Sequence, residues 1–274
     1  MKNSTESRWN TPPSKVIYYT DELNEEFSTA QIVPRVIDRN FRYFHGRLWN
    51  FCSLAVQNVL SMPIKLLYQK LKFHLKYIGK EKLKECRNTG YFIYGNHTQP
   101  FADTFIPSVA NYPHRNFFIV NPENVSMPGM QVLVEMLGAI PIPCDTGGMK
   151  NFVKAVEDKI RRNYSVTIYP EAHIWPYYTG IRPFKAVSFK YPVTLGCPAY
   201  CLTNTYHRRP GRPGKVNILT YIDGPFYPDD SLKPRERQQE LRNRVYQCML
   251  ERSRESDYEV IAYRRAEQDS DAPK

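Results

Sequence analysis

The fold class predicted for this chain is α/β: a single domain with a mostly parallel sheet flanked by helices, preceded by amino-terminal interfacial helices. Three observations predict it. From Gly79 onward, short apolar runs alternate with segments of helical periodicity, the pattern of strands joined by crossover helices. Two of those runs, Tyr91–Tyr94 and Val166–Tyr169, end in polar turns, as strands do at the edge of an open sheet. The composition also changes sharply at Phe41, where aromatic and basic residues begin to interleave. The 274 residues fit one large domain with appendages and are enough to bury a sizeable core.

Taken in order, residues 1–40 are polar, with Pro12-Pro13 and the acidic Asp21-Glu22 and Glu25-Glu26, and read as a loosely ordered arm. Residues 41–71 read as amphipathic to apolar helices lying in a membrane interface. Phe41, Tyr43, Phe44, Trp49 and Phe51 interleave with Arg39, Arg42, His45 and Arg47. Asn50, Ser53, Gln57 and Ser61 then draw one narrow polar stripe on an apolar helix. Pro63 is expected to break or kink that helix. Beyond it, Ile64, Leu67 and Leu71 share one face while Lys65, Gln69 and Lys72 share another. Basic and aromatic residues around an apolar face too short to span describe an interfacial helix. A core helix packed on the domain is the competing interpretation.

Residues 72–254 form the main domain. Phe73, Leu75 and Tyr77 alternate with Lys72, His74 and Lys76 as in a strand. Strands are expected at 91–94, 116–120, 139–142, 166–169, 199–204 and 216–221. Helices are expected at 101–110, 129–137, 151–162, 184–190 and about 234–253, the third capped by Asp145 or Thr146. Residues 255–274 form a tail, expected to be disordered from Arg264.

Composition narrows the function. The mean hydropathy of -0.55 excludes a multi-span membrane protein, and no apolar run approaches the ~18 residues of a spanning helix. The net charge of +11 favours anionic partners. The six cysteines show no CxxC pair and no zinc-ligand spacing, and Met1–Asn10 lacks the pattern of a secretory signal. A cytoplasmic protein with core thiols, no disulfide, no metal and no cofactor is expected.

The chemistry centres on Asn96-His97-Thr98-Gln99-Pro100-Phe101-Ala102-Asp103. Histidine takes and returns a proton near neutrality, and a nearby carboxylate fixes its tautomer and supports the imidazolium. A polar strand-to-helix connection would use the same residues. A second acidic corner, Tyr169-Pro170-Glu171-Ala172-His173, ends another strand at the same sheet edge. With Arg182 and Lys185 following, the two corners form one site in which a base faces a hydroxyl and cations hold an anionic substrate. Gly147-Gly148 ahead of a helix offers an anion-binding turn or a plain loop. Nucleotide-binding glycine loops, GxSxG and HExxH are absent.

Asn96-His97…Asp103, then Gly138-Ala139-Ile140-Pro141-Ile142, then Tyr169-Pro170-Glu171, then Phe184-Lys185 resemble the ordered motif blocks of the glycerolipid acyltransferases, the superfamily of the 1-acylglycerol-3-phosphate acyltransferases. Cys197-Pro198-Ala199-Tyr200 resembles the family's last block, and the likeness spans roughly residues 73–225. The resemblance implies acyl transfer from acyl-CoA or acyl carrier protein to a lysophospholipid hydroxyl, at the cytoplasmic face of an anionic membrane surface, by a peripheral or monotopic protein without a nucleic-acid partner. It implies His97 as base, Asp103 as its orienter and Glu171 as part of the acceptor site. Asn96 belongs to the first block. The chain departs from the family at three places. Five residues separate His97 from Asp103 where the family has four; Cys144 stands where it usually has a phosphate-binding arginine; and Glu171-Ala172-His173-Ile174 replaces Glu-Gly-Thr-Arg. Arg182, Lys185 or Lys150 is expected to supply the missing positive charge. A non-catalytic lipid-binding relative, an acyltransferase for another hydroxylated lipid, and a nucleic-acid binder are the alternatives.

Overall fold

The computed structural model describes residue 9, residues 12–28 and residues 33–266. Its centre is a seven-stranded sheet of order β2-β8-β7-β3-β6-β4-β5. The strands are β2 (Lys76–Ile78), β3 (Tyr91–Gly95), β4 (Asn116–Val120), β5 (Ala139–Pro141), β6 (Ser165–Ile168), β7 (Ala199–Arg208) and β8 (Val216–Phe226). All neighbours pair parallel except β7 and β8, which form a long antiparallel hairpin. The α/β expectation therefore holds, with β7 and β8 running further than their apolar runs indicated. Pairing extends β7 through Thr205, His207 and Arg208 and β8 through Ile222, Asp223 and Phe226.

β3 lies between β6 and β7 and is buried along its whole length. Side chains alternate across a strand, so Phe92 and Tyr94 enter one core and Tyr91 and Ile93 the other. The first core includes Phe152, Ala155, Val156 and Ile160 of α4 (Thr146–Arg161) and Leu241, Val245 and Met249 of α6 (Pro234–Ser253). The second takes Leu83, Ala102 and Ile106 from the segments on the opposite face. Asp145 caps α4, its carboxylate accepting from the Gly148 amide at 2.8 Å. Gly147 and Gly148 thus sit inside the first helical turn. The short helix expected at 184–190 begins later: a 3-10 turn at Val187–Phe189 leads into α5 (Lys190–Leu195). The shorter helix α3 (Gln131–Met136) falls within its expected segment, while α2 (Ile106–Asn111) starts five residues later and ends one residue later than expected.

The amino-terminal segment differs most from expectation. A continuous helix, α1, runs from Arg47 to Phe73. It is long and apolar enough to cross a membrane by length and composition, contrary to the broken helix expected around Pro63. Pro63 is accommodated because the preceding turn, Val56–Leu60, is a π-helix, which changes the backbone pairing where a proline would otherwise clash. A second π turn, Gln69–Phe73, replaces the start of the expected strand, and His74 ends the helix in a left-handed conformation. The two π turns have a further effect. A π turn holds more residues than the 3.6 of an α turn, so residues four apart stay in register, and Ser53, Gln57, Lys65 and Gln69 all face the domain and are buried. The outer face shows Leu48, Phe51, Val59, Leu60, Ile64, Leu67 and Leu71 to solvent.

The termini are also more ordered than expected. β1 (Lys15–Tyr19) from the arm pairs parallel with β9 (Ile261–Arg265) from the tail. The consecutive residues Ala262 and Tyr263 are both buried and anchor the tail. The rest of the expected tail disorder, from residue 267 on, lies outside the described residues.

Candidate active site

Register places the two sequence corners side by side. Tyr94 of β3 pairs with Ile168 of β6, so both strands deliver their next residues, Asn96-His97 and Pro170-Glu171, to the same carboxyl edge. His97 Nδ1 lies 2.8 Å from Asp103 Oδ2. That oxygen also accepts the Thr98 and Gln99 amides, each at 2.9 Å. The surplus residue between histidine and aspartate is therefore absorbed in a tight turn wrapped around the carboxylate, with Phe101 at its exposed tip. The Asp103 amide closes the turn onto the Gln99 carbonyl at 3.2 Å. Burial pushes the Asp103 carboxyl up; the bond to His97 and the two amides oppose that shift. With Nδ1 committed to Asp103, the Nε2 lone pair is the one free to take a proton. The imidazole stacks on Tyr169, with ring centroids 4.5 Å apart, and the Tyr169 hydroxyl donates to the Asp103 carbonyl.

Glu171 is buried and acts on the backbone. Its carboxylate accepts the His97 amide and the Arg182 amide, both at 3.0 Å, and its Oε2 lies 3.7 Å from the Arg182 guanidinium. Burial raises the Glu171 carboxyl, against the nearby Arg182 charge and these amides. Arg182 is equally buried, donates to the carbonyls of Glu171 and His173, and lies over the Trp175 ring. It is thus occupied inside the protein rather than presented to a substrate. Asn96 is also structural in placement: its amide donates to the Asn204 carbonyl at 3.0 Å and its oxygen accepts the Asn204 amide at 2.8 Å, clasping β3 to β7. Lys185 and Lys150 are exposed, the latter in the first turns of α4. The structure brings together His97, Asp103, Glu171, Arg182 and Asn96 and leaves both lysines on the surface.

Several contributors were missed from sequence. Asn204 donates to Asp103 Oδ1 at 3.4 Å; its signal was a run of polar residues, Thr203-Asn204-Thr205, inside a buried strand. Trp175 donates its amide to the His97 carbonyl, and Tyr177 does the same to that of Thr98. The arm reaches this loop: the Trp175 indole donates to the Glu25 carbonyl at 2.8 Å, and the Ile174 amide to Glu26 Oε2 at 2.9 Å. Elsewhere, Cys201 and Cys248 have their sulfurs 3.1 Å apart beside Asp223. The Asp223 carboxylate is already held by Lys82 and Arg252.

Residues 74–223 match the family model described as Acyltransferase. The chain belongs to the acyltransferase family. The matched span runs from just before β2 into β8 and contains every residue of the His97 site. No curated protein sequence matches the acyltransferase described here. Among solved structures it is similar to the 1-acyl-sn-glycerophosphate (LPA) acyltransferase PlsC from Thermotoga maritima, at 15% identity and a TM-score of 0.47, over 74% of this chain and 93% of that one.

Proposed function

We propose that this acyltransferase moves a fatty acyl group from acyl-CoA or acyl carrier protein to the free hydroxyl of a lysophospholipid, with 1-acylglycerol 3-phosphate as the acceptor, in phospholipid synthesis. The observation that carries this reading is the His97–Asp103 pair at 2.8 Å, with no hydrogen bond to the outer nitrogen among the described residues. His97 Nε2 takes the proton of the acceptor hydroxyl as its oxygen attacks the thioester carbonyl. The tetrahedral intermediate then expels the thiolate, which recovers the proton from the imidazolium. Asp103 holds the tautomer and stabilises the transient charge. No acyl-enzyme is needed, in keeping with a site built without a serine or cysteine nucleophile.

The same reading puts the protein at the cytoplasmic face of a membrane, peripheral or monotopic. Its support is the inverted polarity of α1. A helix of a soluble domain buries its apolar stripe, whereas α1 buries its polar one. Ser53 and Gln57 bond to the Met136 carbonyl and to the buried Arg115, and the leucine-rich face is left outside. Such a face, edged by Lys70 and Lys72, suits a helix lying in an anionic lipid surface.

An acceptor panel tests the proposal. Full-length protein with acyl-CoA and vesicles containing 1-acylglycerol 3-phosphate, a zwitterionic lysolipid or a monoacylglycerol should release free thiol, fastest with the first. Turnover of none of the three with either acyl donor would leave a lipid-binding relative as the better reading.

A further inference from the structure

The charged and amide groups that α1 turns inward are not all spent on the domain. Lys65 and Gln69 lie one turn apart on its buried face, each only 3% exposed. The Lys65 ammonium lies 5.8 Å from the Phe105 ring centre and, among the described residues, has no carboxylate within ion-pairing distance. Gln69 Oε1 accepts from the Tyr77 hydroxyl at 2.8 Å, while its Nε2 is buried without a hydrogen-bond partner. A buried amide NH2 without a partner is costly, as is a lysine only 3% exposed with no counter-charge among the described residues, and a bound anion offsets both costs.

The location selects the anion. Phe105 follows Asp103 by two residues, and the Tyr77 hydroxyl also contacts the Ile106 carbonyl, so the two donors border the turn that carries the base. On the far side of the same helical turns, Ile64, Leu67 and Leu71 form the apolar outer face. An anion between that face and the base matches a headgroup phosphate. Arg182, expected to supply positive charge to the site, is paired with Glu171 inside the protein.

We propose that Lys65 and Gln69 form a phosphate-binding subsite, with α1 supplying the charge and amide that hold the phosphate monoester of the acceptor while His97 faces its hydroxyl. This rests on the acyl-transfer reading above but is tested apart from it. Detergent-solubilised full-length protein and the variants Lys65→Met, Lys65→Arg and Gln69→Leu are titrated with 1-acylglycerol 3-phosphate, monoacylglycerol and inorganic phosphate, following thermal unfolding. The wild type should be stabilised by the phosphate-bearing lipid and not by monoacylglycerol. Lys65→Met should weaken that affinity at least tenfold, Gln69→Leu less, and Lys65→Arg should retain most of it. Stabilisation by inorganic phosphate as well would identify phosphate itself as the recognised group; stabilisation by the lipid alone would identify the headgroup on its glyceride. Both support the subsite. Equal affinity in wild type and Lys65→Met, or no response to either phosphate, overturns it. In turnover, Lys65→Met should raise KM for 1-acylglycerol 3-phosphate at least tenfold relative to KM for monoacylglycerol. If no acceptor is acylated but Lys65→Met still abolishes phosphate stabilisation, the acyl-transfer reading fails and the subsite stands. If acylation occurs with phosphate affinity unaltered, only the subsite fails.

Discussion

Glu171 and Arg182 illustrate how one pair of residues serves a neighbour's chemistry. The carboxylate does not reach outward; it fixes the His97 amide, and the guanidinium balances it inside the protein. Removing one partner of a buried pair strands the other at a cost of ~3–5 kcal/mol. Glu171→Gln should therefore lower the urea unfolding midpoint substantially, a result that a purely substrate-contacting glutamate would not give. Ala172 beside it adopts a left-handed backbone with φ of 65°, which disfavours a Cβ by roughly 1–2 kcal/mol. Glycine there relieves that strain and gives back part of the gain through unfolded-state entropy. Ala172→Gly is accordingly expected to stabilise by up to about 1 kcal/mol, read from the same denaturation curves. The sequence exposed the chemical pair because His97 and Asp103 are adjacent to a strand end. It did not reveal that Asn96 and Arg182 are spent internally, because their partners, Asn204 and the carbonyls of the 171–173 loop, are set by tertiary contact.

At the scale of elements, α1 presents a continuous apolar face to solvent. Its outer leucines contribute little to the core, so Leu60→Glu with Leu67→Glu should leave stability within roughly 0.5 kcal/mol. The same double variant should lose sedimentation with anionic vesicles; unchanged vesicle binding would refute the interfacial placement. The inner face has its own signature. Burial holds the Lys65 ammonium down at about 8, from an ordinary 10.5. Because the folded state gives up this proton before the unfolded state does, the cost is full below about pH 8 and is relieved as pH rises towards 10. The stability advantage of Lys65→Met over wild type should thus shrink between about pH 8 and about pH 10, measured as the difference in unfolding free energy. The amphipathic character of α1 could be read from its sequence. Its continuity could not, since π turns that absorb a proline and realign residues four apart leave no simple periodicity.

Across the whole molecule, chain ends that look polar and separate converge on the active-site loop. β1 and β9 pair, and Trp175 sits among Tyr19 and Phe27 from the arm, Tyr263 from the tail and Tyr178 of its own loop. Strand–helix alternation made the central sheet legible; a parallel pairing across some 246 positions, as between Ser14 and Val260, has no local signal. Trp175→Ala should cost ~3–5 kcal/mol and loosen the His97 backbone with it, lowering the thermal midpoint and turnover together. The net charge of +11 adds a screened attraction to anionic surfaces, so vesicle affinity should fall with salt yet persist through the apolar face of α1.

The central claim is that the His97 imidazole, oriented by Asp103, activates the acceptor hydroxyl. It is tested most directly by continuous detection of thiol release from acyl-CoA with 1-acylglycerol 3-phosphate, comparing wild type with folded His97→Ala. The account predicts a loss of ~10²–10⁴-fold in kcat with the thermal midpoint preserved. Turnover by folded His97→Ala at the wild-type rate would contradict it.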